Sequence, residues 1–314
     1  MQIVQERDLF GNPIKDKTRR LVLFADEIKP GEHSPWVYGC ILCVAEDKLR
    51  DALGRLMADR DSCGYHQEIG WKDVRGDHCR PGAKEALVTR WLTRVVTEPD
   101  IWRFAVFGVD TSKIRTEMFG TTPGELIKNS YRRFFRATLK YMVRLSNEDV
   151  QKVHVVKAYH DQEGNLERDG WFSWHALHAV GQQTDVVVEC REVCFVNSCH
   201  AKELRHPKAS HFIQLSDISA GATRYIFEGI GSGKTRDRAA APLVPLIKRV
   251  TCPTTSRNKN SRYKHVGRVN VSFFPRTSLS VDDWESPIAR AKSCFYSDRP
   301  IGPRYSQPAL DVQL

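Results

Sequence analysis

The first strong apolar run is Leu21-Val22-Leu23-Phe24-Ala25, closed by Asp26 and Glu27. A short apolar run bounded by charge predicts a buried strand over about 20–26. Similar runs predict strands over 36–45, 102–109 and 152–160, and a long one over Val186 to Val196. Between them the spacing changes. Leu49, Leu53, Leu56 and Met57 recur at helical intervals and predict a helix over 46–61, with a second over 84–96. Ser62 to Gly82 is a Gly-, Asp- and His-rich loop. Thr122-Pro123-Gly124-Glu125 has the spacing of a capping box and opens a long helix to about Leu145. Further helices are predicted near 170–181 and over 212–229.

With the helical pair at 46–99 set aside, the order is three strands, helix, strand, helix, strand, helix. Sequential strands suggest a meander, and alternation with helices suggests a parallel extension of it. This is the order of the ribonuclease H-like fold, a mixed five-stranded sheet flanked by helices. The expected organisation is an extended segment over 1–19, a ribonuclease H-like domain over 20–230 with a helical insertion at 46–99, and a basic extension over 231–314. In the extension Pro242, Pro245 and Pro253 punctuate the chain, with a short strand over Val269 to Phe274 and a short helix over Asp282 to Ser293.

At 314 residues and 41% hydrophobic content the chain can bury a full core. No apolar run approaches the roughly 20 residues of a membrane span, and the charged start lacks the core of a signal peptide. A cytoplasmic protein is expected. The nine cysteines are odd in number. Cys40 and Cys43 form a CxxC inside a predicted strand, where residues three apart face opposite ways and chelate poorly. Cys190, Cys194, Cys199 and His200 cluster too loosely for a four-ligand zinc site, so buried free thiols are expected. A formal charge of +10 favours a polyanionic partner.

Three segments resemble a known family. Phe24-Ala25-Asp26-Glu27 resembles the strand ending in Asp-Glu-Ser-Gly that opens the domain-of-unknown-function 3800 family. His66-Gln67-Glu68-Ile69-Gly70-Trp71-Lys72 resembles its Glu-x-Lys-Trp-like motif, and Phe212-Ile213-Gln214-Leu215-Ser216-Asp217-Ile218 its closing Gln-Leu-Ala-Asp-Leu helix. Here Ile28-Lys29 replaces Ser-Gly, and Gly70 lengthens the second motif by one. The resemblance covers about 20–230 and implies a ribonuclease H-like fold, inferred nuclease activity, and Glu68 as a ligand; otherwise Glu68 is a surface acid in a polar loop.

In that fold the acids sit on the first strand, the fourth strand and the last helix, where Asp26, Asp161 and Asp217 fall. Two-metal phosphodiester hydrolysis needs carboxylates holding ions about 3.5–4 Å apart, and hard oxygen ligands suit Mg²⁺ or Mn²⁺. Asp26, Glu68, Asp161 and Asp217 are the candidate catalytic residues, and these with Glu27 are the candidate metal ligands. Each has a plainer reading: a strand-end turn for Asp26 and Asp161, and a solvent-facing acid or an ion-pair partner for Glu27 on the opposite face. Asp217, alone in an apolar register, has the weakest such alternative. Glu163 follows Asp161 closely. Glu125 competes as a ligand, but its capping role accounts for it. His200 and His211 precede the last helix and could serve water activation or simple loop structure.

Lys128, Arg132, Arg136, Lys140 and Arg144 recur every four residues on the long helix. They form either a solvated face or a phosphate-binding stripe. Arg257, Lys259, Arg262 and Lys264, interleaved with Tyr263 and His265, make a stronger nucleic-acid candidate, and Lys72 could contact phosphate or pair with Glu68. Gly229 to Thr235 only mimics a phosphate loop, since residue 228 is Glu and a glycine helix stop suffices. The expected partner is DNA or RNA, with no membrane. A homodimer, and a sliding clamp docked by Gln5-Glu6-Arg7-Asp8-Leu9-Phe10, are further partner candidates. The leading function is a metal-dependent nuclease; the alternative is a non-catalytic nucleic-acid-binding module with a degenerate site.

Overall fold

The computed structural model describes residues 18–76, 79–114, 116–120, 122, 124–129, 131, 135, 152–162, 186–229, 233–251, 269–278 and 296–302. They form a mixed sheet flanked by helices. β1 (Thr18–Ile28), β2 (Trp36–Ala45) and β3 (Trp102–Asp110) make an antiparallel meander. β4 (Lys152–Asp161) lies parallel to β1 on its other side. The sequence predicts one long strand over 186–196. Instead β5 (Val186–Val188) pairs with the start of β4 and β6 (Cys194–Val196) with its end. The intervening Glu189, Arg191 and Glu192 are exposed, and this charged run is what breaks the strand.

Seven strands are present among the described residues, rather than five. Part of the excess is that division. The rest is β7 (Val269–Phe274), which leaves the basic extension and pairs in parallel with β3 from Phe104–Val269 to Val109–Phe274. The order is β5-β4-β1-β2-β3-β7, with β6 also on β4.

Alternation sends successive side chains to opposite faces. On one face Val22, Phe24, Tyr38, Cys40, Leu42, Phe104 and Val106 meet helices α1 (Leu49–Cys63), α2 (Ala83–Thr97) and α3 (Pro207–Glu228). On the other, Leu21, Leu23, Ile41, Cys43, Ala105 and Phe107 meet Phe119, Leu126, Tyr131 and Phe135. Cys40 and Cys43 do face opposite ways. Burying each large side chain of these layers contributes roughly 1.5–3 kcal/mol. Phe24 stacks on Phe212 of α3 at 4.4 Å between ring centres, so the sheet's first strand and that helix share one core.

α3 begins at Pro207, earlier than the predicted 212, because proline at the first helical position has no intrahelical bond to lose. It ends at Gly229, whose left-handed φ of 67° makes the stop predicted there. Two helices of the extension escape the sequence reading: α4 (Lys234–Ala240) and α5 (Val244–Thr251). Pro245 sits in the first turn of α5, where it is tolerated, so it does not punctuate the chain. α4 docks on α2 through Arg238 and Glu85, 2.9 Å apart. The predicted helices near 170–181 and 282–293, and the long helix beyond residue 135, lie outside the described residues. No described helix is long and apolar enough to cross a membrane.

Candidate active site

β1 and β4 run parallel with Ala25 opposite His160, so Asp26 and Asp161 emerge side by side at the same sheet edge. α3 crosses above them. The Ser216 hydroxyl shares its proton between the Phe212 carbonyl of its own helix at 3.1 Å and the Phe24 carbonyl at 3.3 Å, which with the Phe24–Phe212 stack holds the helix over β1. This delivers the next residue, Asp217, to the same place.

The loop carrying the second motif is threaded onto α3 one turn at a time. Gln214 accepts from the Ile69 amide at 3.3 Å. Asp217 accepts from the Trp71 amide at 2.7 Å. Trp71 then lies on Gly221, where an added Cβ would come within 2.2 Å of its ring, and meets Tyr225 at 5.7 Å. Gly70 is equally constrained: a Cβ there would stand 2.4 Å from Asp217 Oδ2. The extra glycine of the motif therefore makes room for the helix carboxylate. Asp73 caps this turn by accepting from the Gly70 amide at 2.9 Å.

All three acids titrate above the ordinary carboxylate range. Burial raises Asp26 well up, reinforced by the charges of Asp217, Asp161 and Glu27 and opposed by the Glu27 amide, 2.7 Å from Oδ1. Burial pushes Asp161 up to about 6, although Ser198 and the Gln162 amide hydrogen-bond to it. Burial also raises Asp217 to about 6, with Asp73 and Glu68 adding to the shift and the Trp71 amide and Lys72 opposing it. Asp161 Oδ1 is buried with no hydrogen-bond partner among the described residues. An unpartnered buried carboxylate oxygen is costly. Crowded anions of this kind favour a bound proton or cation.

The acids line one cleft of about 590 Å³. Asp26, Glu27, Asp161 and Asp217 form its acidic side, and Lys29, Lys72, Arg224 and Arg236 its basic side. Sequence reasoning missed three of these bases. Arg224 follows Asp217 by seven residues, two helical turns on the same face, a spacing that could have found it. Lys29 sits directly after β1. Arg236 carries no local signal, because only the docking of α4 brings it there.

The remaining candidates are distributed as follows. The Glu27 carboxylate meets His160 Nε2 at 3.6 Å, and that nitrogen also bonds the Tyr131 hydroxyl at 2.7 Å. Glu27 thus both lines the cleft and reaches His160. Glu68 is half-buried and accepts from the Ser198 hydroxyl at 2.9 Å. Ser198 thus reaches both Glu68 and Asp161, and its single proton can serve one at a time. Glu125 is exposed and makes the reciprocal capping box with Thr122, at 3.2 and 3.1 Å. The rings of His200 and His211 lie 4.6 Å apart between centres, tilted by 34°, near Arg60. Arg132, Arg136, Lys140, Arg144, Glu163, Arg257, Lys259, Arg262, Lys264 and the segment at 5–10 lie outside the described residues.

Carboxylate oxygens are the hard donors Mg²⁺ and Mn²⁺ prefer, and the orphaned Asp161 oxygen fits such an ion. Among the described residues, no three His, Cys, Asp or Glu side chains close on a single point as a finished metal site, which includes the cysteine cluster. The acids border an open cleft instead.

No family model and no curated protein matches this chain. Among solved structures it is similar to RNase HII from Archaeoglobus fulgidus in its complex with PCNA. That match has 16% identity and a TM-score of 0.33, covering 76% of this chain and 94% of that one. It is also similar to ribonuclease H2 from Pyrococcus horikoshii OT3, at 14% identity and a TM-score of 0.30, covering 79% and 97%. At these scores the likeness carries no weight beside the chain's own geometry.

Proposed function

We propose that this chain is a metal-dependent nuclease of ribonuclease H-like architecture that hydrolyses phosphodiester bonds of DNA or RNA. The observation that carries the reading is the convergence of Asp26, Asp161 and Asp217, from three separate elements, on one cleft where each is held above its ordinary pKa. The antiparallel β1–β2–β3 meander, β4 parallel to β1 and α3 packed across them support the fold assignment. The segments that resemble the domain-of-unknown-function 3800 family are the ones meeting at this cleft, which supports that relation.

Asp26, Asp161 and Asp217 would hold Mg²⁺ or Mn²⁺, which supplies activation of water and neutralisation of charge on the phosphate. The protein's part is placement. Ser216 and the Phe24–Phe212 stack hold α3 over β1, the Trp71 amide orients Asp217, and Ser198 links Asp161 to Glu68. Glu68 acts on the site through Ser198 and through its charge on Asp217. Lys72 beside Asp217 draws a phosphate toward the acids.

The test is cleavage of labelled single- and double-stranded DNA and RNA with Mg²⁺ or Mn²⁺, comparing the wild type with Asp26→Asn and Asp217→Asn. Removing one partner outside a metal's own ligands costs roughly 10–100-fold, so losing a ligand should cost more. Cleavage that survives both substitutions would sink the assignment. No cleavage in any divalent ion, with salt-sensitive binding persisting in chelator, would make the chain a binding module instead.

A further inference from the structure

We propose that Lys29, Lys72, Arg224 and Arg236 form a phosphate subsite beside the acids, which grips the backbone of the bound strand at a phosphate next to the one being cut. The proposal rests on the nuclease reading for the meaning of the acidic side, and it names the part of the substrate that the opposite side takes.

The four acids lining the cleft repel a polyanion, and a nucleic acid approaches them only if something nearby offsets that field. The four bases line the same cleft. Two of them are held in place. Arg224 Nε donates to Glu228 Oε2 at 3.0 Å and a terminal nitrogen to the Lys29 carbonyl at 3.4 Å. Arg236 Nε donates to the Val74 carbonyl at 2.8 Å, and its guanidinium lies 5.9 Å from the Trp71 ring centre. Fixing a long side chain before the ligand arrives removes part of the ordering cost of binding.

Position separates the subsite from the reacting phosphate. Seven residues along α3 carry Arg224 about 10 Å past Asp217 along the helix axis. Arg236 comes from a different helix but is moored to the Trp71–Val74 turn, as Lys72 is by sequence. Arg224 and Arg236 therefore lie toward the C-terminal part of α3, and Lys29 and Lys72 lead from them back to Asp26 and Asp217 along the same cleft. Groups that meet phosphate oxygens fix register on the strand and carry no base information. The strand is held without regard to sequence.

The experiment uses the full chain in chelator, with a fluorescent single-stranded DNA oligonucleotide, an RNA of the same sequence, and a second, unrelated sequence as probes. Anisotropy is measured over a range of salt for the wild type and for Arg224→Gln, Arg236→Gln, Lys29→Gln and Lys72→Gln. Each substitution is expected to weaken binding about tenfold, equally for both sequences, and to flatten the salt slope by about 0.7. The exposed Lys29 and Lys72 guard against misfolding of the arginine variants, which a thermal melt also checks. Unchanged slopes in all four variants, weakening confined to one sequence, or a wild type that binds none of the three probes each overturn the subsite. If slopes stay unchanged while Asp26→Asn abolishes cleavage, the subsite fails alone. If Asp26→Asn still cleaves while slopes flatten, the nuclease reading fails and the subsite stands.

Discussion

The first turns of α3 and its middle turns use polar residues in opposite ways. Near its start, Gln214 is a saturated hub. Its amide oxygen accepts from Arg60 and the Ile69 amide, and its nitrogen donates to the Ser198 carbonyl. Arg60, fully buried on α1, also donates to the Tyr65 and Gln67 carbonyls at 3.2 and 2.7 Å and lies 4.9 Å over the Trp91 ring. These bonds gather the insertion, the 65–70 loop and the 197–200 loop onto one helix. One turn on, Asp217 faces a cleft where it and its neighbouring acids repel one another. Polar groups that are satisfied hold the architecture, whereas those left charged and crowded are available to a ligand. The same helix builds the site with one turn and exposes it with the next.

Substitution can break that contrast. The largest effect is expected on the open side: Asp217→Asn should lose over 100-fold in metal-dependent cleavage while its chelator-treated melt stays at or above the wild type's, since repulsion is relieved. A large drop in melting temperature would show that Asp217 belongs with the satisfied group. Next comes Gly70→Ala, whose methyl must displace the Asp217 carboxylate. Misplacement by about 1 Å can cost about 100-fold, so kcat should fall by roughly 10–100-fold with little change in KM. An unaltered kcat would mean that Asp217 need not sit where Gly70 lets it.

On the saturated side, Gln214→Leu strands Arg60, the Ile69 amide and the Ser198 carbonyl, and should destabilise by about 3 kcal/mol in denaturant unfolding. A change below 1 kcal/mol would show that Gln214 is not a structural hub. The last effect is absent at neutral pH and concerns His211, which burial, Arg60 and His200 hold down at about 3, against an ordinary value of 6.5. The unfolded chain takes up a proton between those values and the folded one does not. Stability is therefore complete above pH 6.5 and is lost on acidification, by up to about 1.4 kcal/mol per pH unit. His211→Asn should flatten the acid limb of a stability–pH curve, and an identical limb would contradict the buried neutral imidazole.

Much of this was legible where the signal is local. The runs at 36–45 and 269–274 predict β2 and β7 to the residue, and Thr122–Glu125 predicts its cap. Asp26, Asp161 and Asp217 could be placed on their elements because acids closing or interrupting apolar runs stand out. What stayed hidden depends on contacts between distant segments. Nothing in Gly70 or Gly221 says that Asp217 and Trp71 will fill their missing side chains. Glu27 and Asp26 are adjacent letters, and only the partner across the sheet, His160, tells their surroundings apart. Arg236 becomes part of the cleft through the packing of α4, which the proline-rich composition obscured.

The placement of β7 has a consequence for the life of the chain during synthesis. β3 has β2 on one side only until residues 269–274 arrive. Until then the backbone of Phe104–Val109 is an open hydrogen-bonding edge, lined by buried-type side chains and able to recruit another strand. Tyr296, bonded in turn to Phe273 at 2.7 and 3.0 Å, covers the newcomer. These segments, made after the cleft's acids, thus act as a molecular guard rail, and a chain cut short after Thr251 should aggregate even though every acid of the cleft has already been made.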